Sequence, residues 1–238
     1  MTPYQILPLD RMGTGMELEQ LIDNRKSCRA FSDRPVDPQI LRSIIARAAR
    51  APSNGNLQPW HIYILTGPAL ASLKQTTKQQ VDDQLPLQTP EYQVYPKPLK
   101  DIYDQRRQEI GEDLYEALGI PREDKQKRRG QFAKNALMFN APVGVFAYID
   151  RSLSYGQWMD LGMYLQTVML LCEAHGLATC AQGYWTFFHE TVRAATGAPD
   201  DLMLACGIAI GFEDHDAPIN TVRSSRAAVE DFAIFIDR

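Results

Sequence analysis

Apolar residues recur at every third or fourth position in several parts of the chain, which predicts helices there. One predicted helix occupies 38–49, where Asp37 suits the N-terminal cap and Pro38 suits the first turn. A longer one runs over 158–172 and stops before Gly176. Its apolar stripe is wide, so we interpret it as a central helix or as an oligomer interface. Shorter helices are predicted at 16–25 and 186–197.

Continuous apolar runs predict the strands. They lie at 60–67, 141–150 and 202–212, with a shorter strand or loop at 177–185. Helices and strands do not alternate in a long regular series. We therefore place the fold in the α+β class, with helices around a central, mostly antiparallel or mixed sheet.

The pattern weakens between about 70 and 140. Residues 97–134 contain ten Lys or Arg and eight Asp or Glu, and prolines interrupt the wider segment. We interpret it as a helical excursion inserted in a single domain that spans 1–238 and ends in an extension from about 213 to 238. The extension carries large apolar side chains that must be buried somewhere, namely Phe232, Ile234 and Phe235.

Composition limits the possible partners. The chain has 25 Lys plus Arg against 29 Asp plus Glu, a net charge of −4, so general attraction to nucleic acid or anionic membrane is not expected. No apolar run approaches the length of a membrane span, and the first residues do not resemble a signal peptide. The four cysteines form no C-x-x-C pair and are expected to be reduced thiols. We expect a cytoplasmic protein.

Several common catalytic and cofactor motifs are absent from the sequence. It contains no G-x-G-x-x-G after a predicted strand, no G-x-x-x-x-G-K-[ST], no G-x-S-x-G and no H-E-x-x-H. The four histidines are far apart in sequence, and we expect each to be a structural residue. We predict no metal site.

Cations and hydroxyls gather near opposite ends of the chain. Guanidinium groups beside a serine hydroxyl suit a phosphate or another planar oxyanion. A solvated surface accounts for such clusters as well, so both interpretations stay open on composition alone. The first cluster comprises Arg25, Lys26, Ser27 and Arg29, and the second comprises Arg223 and Arg226.

The loop "APSNGNLQPW" at 51–60 separates a predicted helix from a predicted strand. Its polar side chains offer donors and acceptors that suit the edge of a heteroaromatic ring, and Gly55 permits close backbone approach. A helix stop followed by a turn explains the prolines and the glycine equally well. The polar side chains are those of Ser53, Asn54, Asn56 and Gln58.

Together, these stretches resemble the FMN-dependent nitroreductase family. "RKSCRAFSDRPVD" at 25–37 is similar to the family's R-R-S-x-R-x-F followed by P-V, and 51–60 is similar to its A-P-S-x-x-N-x-Q-P-W. "GLATCAQGYW" at 176–185 resembles a later strand and loop of the family. "GIAIGFEDHDAPINTVRSSR" at 207–226 resembles its C-terminal motif. Only the excursion lacks a family motif.

The resemblance implies an intertwined homodimer with FMN sites at the subunit interface. It assigns Arg25, Ser27 and Arg29 to the phosphate, ribityl chain and pyrimidine edge of FMN, with Arg226 also at the phosphate. Lys26 occupies a motif position that is often Arg. The other cofactor-binding residues that it implies are Pro52, Ser53, Asn54, Asn56 and Gln58, from the second subunit, and Ala181, Gln182 and Gly183, beside flavin N5.

The resemblance also implies the reaction. NADPH or NADH would deliver hydride to flavin N5, and a small nitroaromatic, other electron-poor aromatic or quinone substrate would then take the electrons, giving ping-pong kinetics. A cation such as Arg29 would stabilise negative charge on the reduced ring. Because the cofactor carries the chemistry, we assign no catalytic side chain.

The excursion indicates which branch of the family this chain resembles. Its tyrosines and basic cluster are most similar to the nitrobenzoate-reductase branch, and we expect it to form a lid or an arm that covers the dimer. A cationic lid would suit an aromatic carboxylate, although a solvated helix face explains the charges too. The alternatives are a reductive dehalogenase, a flavin-destructase-like member of the same fold, and a non-catalytic FMN-binding protein.

Overall fold

A four-stranded sheet forms the centre of the fold in the computed structural model, which describes residues 17–237. The strands are β1 (His61–Thr66), β2 (Val143–Asp150), β3 (Ala178–Gln182) and β4 (Leu202–Gly211). Their order is β1-β2-β4-β3, and every neighbouring pair is antiparallel. The predicted strands and the α+β class are confirmed, and β1 and β3 are the two edges of this sheet.

Seven α-helices surround the sheet in the part of the chain that is described. They are α1 (Leu18–Asn24), α2 (Pro38–Ala48), α3 (Gly67–Asp82), α4 (Asp101–Ala117), α5 (Lys125–Ala133), α6 (Tyr155–Ala174) and α7 (His189–Thr196). The predicted cap of α2 is confirmed, because the Asp37 carboxylate accepts the Gln39 N–H at 2.7 Å. Gly197, at φ 68°, ends α7 in the left-handed conformation that glycine favours.

Side chains on the two faces of β2 enter different parts of the core, as the two-residue repeat of a strand requires. Val143 and Val145 pack with α2 and α6, whereas Phe146 and Tyr148 pack on the other side with Trp185. On β4, a Cβ at Gly207 would lie 2.4 Å from the Trp185 ring, so only glycine fits there. The apolar stripe of α6 is therefore a packing surface, in agreement with its predicted central position.

The excursion is mostly helical, and the C-terminal extension is mostly irregular. Helices α3, α4 and α5 occupy most of 67–133, and a kinked 3₁₀ segment at Lys134–Asn140 leads into β2. The extension does not bury its apolar side chains within this chain. Phe232, Ile234 and Phe235 are 72%, 88% and 83% exposed, so the expected burial is not met by a single chain.

Candidate functional site

A cavity of about 370 Å³ lies where the N-terminal and C-terminal segments meet. Because α1 ends at Asn24, the cluster at 25–29 continues from it in extended form and reaches the outer edge of β3. The 3₁₀ turn Pro218–Thr221 brings the second cluster to the same place. Its lining includes the side chains of Arg25, Lys26, Ser27, Arg29, Arg223 and Arg226. The structure thus brings the two predicted cation clusters together.

Asn220 holds the two clusters together. Its Oδ1 accepts the backbone N–H of Arg29 at 2.8 Å, and its Nδ2 donates to the carbonyls of Ala30 and Asp214, each at 2.9 Å. The side chain is 2% exposed, so these bonds are shielded from water. Sequence reasoning assigned Asn220 no role, although it is the asparagine of the quoted C-terminal motif.

The cations of the cavity differ in how far they are already engaged. The Lys26 ammonium pairs with the Glu213 carboxylate at 2.7 Å and donates to the Asn220 carbonyl at 2.6 Å. Arg223 donates to the carbonyls of Asp23 and Asn24. Lys26 therefore has less capacity to bind a ligand than its position in the sequence suggests.

Arg25, Arg29 and Arg226 retain free donors toward the cavity. No hydrogen bond or ion pair of the Arg25 guanidinium is found among residues 17–237, and Arg29 uses one nitrogen on the Ser27 carbonyl at 3.2 Å. Arg226 donates from one nitrogen, Nη1, to Ser224 and Ser225 in its own turn. A guanidinium carries five N–H donors, so each of the three can still contact an anion.

The charges of this cluster act on the pKa values of two nearby side chains, Glu173 and Cys180. Burial and the negative charge of Glu213 raise the pKa of the Glu173 carboxyl, while Arg223, Lys26 and Arg25 act to lower it. Burial raises the pKa of Cys180 to about 11, and the Arg29 guanidinium and a hydrogen bond with Ser27 oppose that rise. The cavity therefore concentrates positive charge in a chain whose net charge is −4.

Residues 181–183 lie beside the first cluster. Ser27 pairs with Thr179 of β3, and Cys28 donates its N–H to the Thr179 carbonyl at 2.9 Å. Two residues further along this edge strand, Ala181 is exposed. Gln182 is 2% exposed as a whole residue, so its side chain is not available to a ligand. Gly183 is partly exposed.

A hydrogen-bond chain fixes the buried Gln182 side chain. Its Nε2 donates to the Asn135 side-chain oxygen at 3.0 Å, and its Oε1 accepts the Trp185 indole N–H at 3.2 Å. Asn135 in turn donates to the Phe132 carbonyl at 2.8 Å. These hydrogen bonds therefore connect residues 181–183, at the end of β3, to the excursion.

The loop at 52–58 is anchored on α6. The Asn54 backbone N–H donates to both oxygens of the Asp160 carboxylate at 3.2 Å, and Asp160 is 3% exposed. The Gln58 N–H donates to the Ser53 hydroxyl at 3.1 Å. The turn that the alternative interpretation describes is present, as a 3₁₀ turn at Asn54–Asn56 with positive φ at Gly55. The side chains of Asn54 and Asn56 remain exposed at its surface.

Residues 52–58 do not line the cation cavity of their own chain. The loop leads into β1, whereas Ser27 pairs with β3 at the opposite edge of the sheet. Asn54 contacts Asp160 of α6, and Gln166 of the same helix lines the cavity, so α6 lies between the two regions. The structure therefore leaves the predicted residues 52–58 outside the cavity of their own chain.

The donor set of the cavity fits the phosphate and the polar chain of FMN. Phosphate is bound best by guanidinium forks and short hydroxyl bonds, and the cavity supplies Arg25, Arg29, Arg226 and the Ser27 hydroxyl. The lining also includes one acidic residue, Asp23. Sequence reasoning missed two further lining residues, Ile110 of α4 and Gln166 of α6. Neither has a motif signal, because only the packing of α4 and α6 brings them there.

Comparison with known proteins agrees with this geometry. A model of the Nitroreductase family matches residues 22–212, which include the first cation cluster, the loop and all four strands. The chain belongs to the nitroreductase family. The match covers more than half of the sequence and contains three of the four segments that carry the resemblance, together with the first residues of the fourth, 207–226.

Relatives in the nitroreductase family extend over nearly the whole chain. A nitrobenzene nitroreductase of Ectopseudomonas oleovorans is 34% identical over 228 residues, which cover 94% of this chain and 99% of the relative. A 4-nitrobenzoate reductase of Nocardioides sp. is 34% identical over 220 residues, covering 92% and 89%. A crystal structure of the FMN and NADPH-dependent nitroreductase NfnB of Sphingopyxis sp. is 40% identical, with a TM-score of 0.90 and coverage of 94% and 100%.

Between residues 17 and 237, no group of three His, Cys, Asp or Glu side chains is arranged to hold a metal ion. In the same part of the chain, no helix has both the length and the apolar character that crossing a bilayer requires.

The cysteines of the nitroreductase chain are expected to be unreactive in the folded protein. Burial raises the pKa of Cys28 and Cys206 to about 12 and that of Cys180 to about 11, and it also raises the pKa of Cys172. At pH 8 the thiols therefore stay protonated, and the thiolate is the reactive form. We expect fewer than one thiol per chain to react rapidly with Ellman's reagent at pH 8, and all four after denaturation. Rapid native labelling would contradict this prediction.

Proposed function

We propose that this protein is an FMN-dependent oxidoreductase that reduces nitroaromatic compounds with NADPH or NADH. The observation that carries the proposal is the convergence of Arg25, Arg29 and Arg226 on one cavity beside the exposed edge of β3. Its membership of the nitroreductase family and relatives that reduce nitrobenzene and 4-nitrobenzoate support the same reaction. These relatives do not favour the dehalogenase or flavin-destructase alternative.

The residues of the chain would bind and orient the cofactor. Arg25 and Arg226 would neutralise its phosphate, Ser27 would hydrogen-bond the polar chain, and Arg29 would place a positive charge near the ring. The backbone at 181–183 would lie along the ring, because this edge is exposed at Ala181. Bound FMN would supply the redox chemistry between the nicotinamide and the nitro group, so no side-chain nucleophile is needed.

A second copy of the chain would complete the site. Residues 52–58 do not line the cation cavity of their own chain, and the loop and Ser27 lie at opposite edges of the sheet, which supports a site shared between two chains. In a homodimer, the loop of one subunit would instead approach β3 of the other. Pro52, Ser53, Asn54, Asn56 and Gln58 would then contact the flavin from the partner.

The C-terminal tail offers a way to hold two copies together. An apolar groove of about 650 Å³ runs beside the free edge of β1, between α2 and the strand, and its walls include Val36, Ile45 and Ile64. The tail at 232–236 presents large apolar side chains that its own chain leaves exposed. Burying each would contribute about 1.5–3 kcal/mol. We assign the groove to the tail of the second copy.

Removing apolar character from the tail is expected to separate the subunits. The double variant Ile234→Asp and Phe235→Asp should be monomeric by light scattering, because the groove lining offers one cation, Arg42, to two carboxylates and at least one would be buried without a partner. It should also lose FMN, since each site would lack the partner's loop. Asp231→Asn, on the same exposed tail, is the control and should stay dimeric. A dimeric double variant that retains FMN would contradict the assignment.

Anaerobic spectroscopy tests the proposed function directly. The purified protein should carry FMN, NADPH or NADH should bleach its colour, and a nitroaromatic compound should restore it. A protein that keeps FMN but is not bleached by either nucleotide would be a non-catalytic binding protein. A protein that binds no FMN would contradict the proposal altogether.

A further inference from the structure

A second cavity, of about 480 Å³, lies between the excursion and Tyr184, which follows the end of β3. Its walls are apolar and aromatic, with Tyr184 and Phe132 meeting edge to face at a centroid distance of 5.2 Å. Three of its apolar side chains are half exposed: Phe132 by 54%, Leu85 by 53% and Leu87 by 50%. Such walls suit a planar aromatic ring.

The rim of this cavity is cationic. Lys125, Arg128 and Arg129 line it, and none of its lining side chains in the described chain is acidic. Arg128 is already neutralised, because it forms two hydrogen bonds with the Glu112 carboxylate, at 2.8 and 2.7 Å, and lies over the Tyr115 ring. Lys125 and Arg129 have no side-chain partner among residues 17–237. Two positive charges at the rim are therefore available to a ligand.

This cavity adjoins the segment that we place beside the flavin. Tyr184 lies two residues after Gln182, so their Cα atoms are at most about 7.6 Å apart. The hydrogen bonds from Gln182 to Asn135 and from Asn135 to Phe132 fix the cavity wall to the same segment. A ring held against Tyr184 and Phe132 would thus lie close to the proposed redox site.

We infer that this cavity binds the substrate as an aromatic ring with an anionic substituent, and that Lys125 and Arg129 select for the anion. The inference rests on the proposed function and names the substrate class of that site. The ring packs against the aromatic wall, and the carboxylate or a similar anion faces the two unpaired cations. A neutral nitroaromatic ring would contact the same walls but would leave Lys125 and Arg129 without a partner.

A pair of substrates that differ in charge tests the inference. The ratio of kcat/KM for 4-nitrobenzoate to that for its neutral methyl ester should fall about tenfold in the double variant Lys125→Gln and Arg129→Gln, because an exposed charge pair contributes up to about fivefold. The change should arise from KM for the anion, and the ester should be unaffected. Inhibition by benzoate, compared with benzamide, should weaken by the same factor and reports binding without turnover.

Lys127→Gln is the matched control. It removes the same charge from the same helix, but Lys127 pairs with Asp124 at 3.2 Å, is 69% exposed and is outside the cavity lining. Its substrate ratio should equal that of the unmodified protein. An unchanged ratio in the double variant, with the ester still reduced, would overturn the inference and leave the proposed function standing. Failure to reduce either compound, with no bleaching by NADPH or NADH, would overturn the proposed function instead.

Discussion

Replacing Arg25 and Arg226 together with alanine is expected to give a protein that purifies without flavin. The two guanidinium groups come from opposite ends of the chain and line one cavity. A hydrogen bond to a charged group contributes about 1.5–3 kcal/mol, so losing two should cost at least about 3 kcal/mol of binding free energy. That corresponds to a dissociation constant for FMN raised at least about a hundredfold. Titration of the apoprotein with FMN measures it.

Two further variants show whether charge or geometry is responsible. Arg106→Ala removes an arginine from the exposed surface of α4, outside the cavity, and should bind FMN normally. Lysine at 25 and 226 keeps both charges but not the bidentate fork, so its affinity should be intermediate. If the alanine double variant retained stoichiometric FMN with an unchanged dissociation constant, the phosphate site would be wrongly assigned.

Asn220→Ala is expected to lower the free energy of unfolding by about 3 kcal/mol. The substitution leaves the Arg29 N–H and two carbonyls, of Ala30 and Asp214, without their partner in a buried position. An unsatisfied buried polar group costs about 1–3 kcal/mol, and local rearrangement will restore part of the loss. Denaturant unfolding of the apoprotein, with the slope m unchanged, measures the effect apart from flavin binding.

The neighbouring residue supplies the control for Asn220. Thr221 is exposed, and its hydroxyl donates only to the Pro218 carbonyl, at 2.8 Å, so Thr221→Ala should change stability by well under 1 kcal/mol. The Asn220 variant should also bind FMN more weakly than Thr221→Ala, because Asn220 positions the backbone of Arg29. Equal free energies of unfolding for the two variants would show that the hydrogen bonds of the Asn220 side chain contribute nothing to stability.

The contacts of the excursion show which of its basic side chains are paired, and the sequence does not. In sequence, Lys125, Lys127, Arg128 and Arg129 are equivalent members of one basic run. In the structure, Arg128 pairs with Glu112 and Lys127 with Asp124, whereas Lys125 and Arg129 remain at the rim of an aromatic cavity. The contacts therefore distinguish the cations that are already paired from the two that we propose to contact the substrate. Pairing across helices, which spacing does not show, separates the two groups.

The sequence by itself determined the local elements. A cap such as Asp37, a stop such as Gly197 and the apolar runs of β2 and β4 act over a few residues, so their effects can be predicted from neighbouring positions. The sequence also named the side chains at 25–29 that we propose to bind an anion, although composition alone left a solvated surface equally open.

Only the tertiary structure decided which of these residues meet. The strand order β1-β2-β4-β3 places the loop at 52–58 and the segment of Ser27 at opposite edges of the sheet. The ion pair of Lys26 with Glu213 and the hydrogen bond from the Arg29 N–H to Asn220 join segments about 190 positions apart. Contacts over such separations depend on how the sheet is ordered and how its helices pack, and neighbouring residues in the sequence carry no record of either.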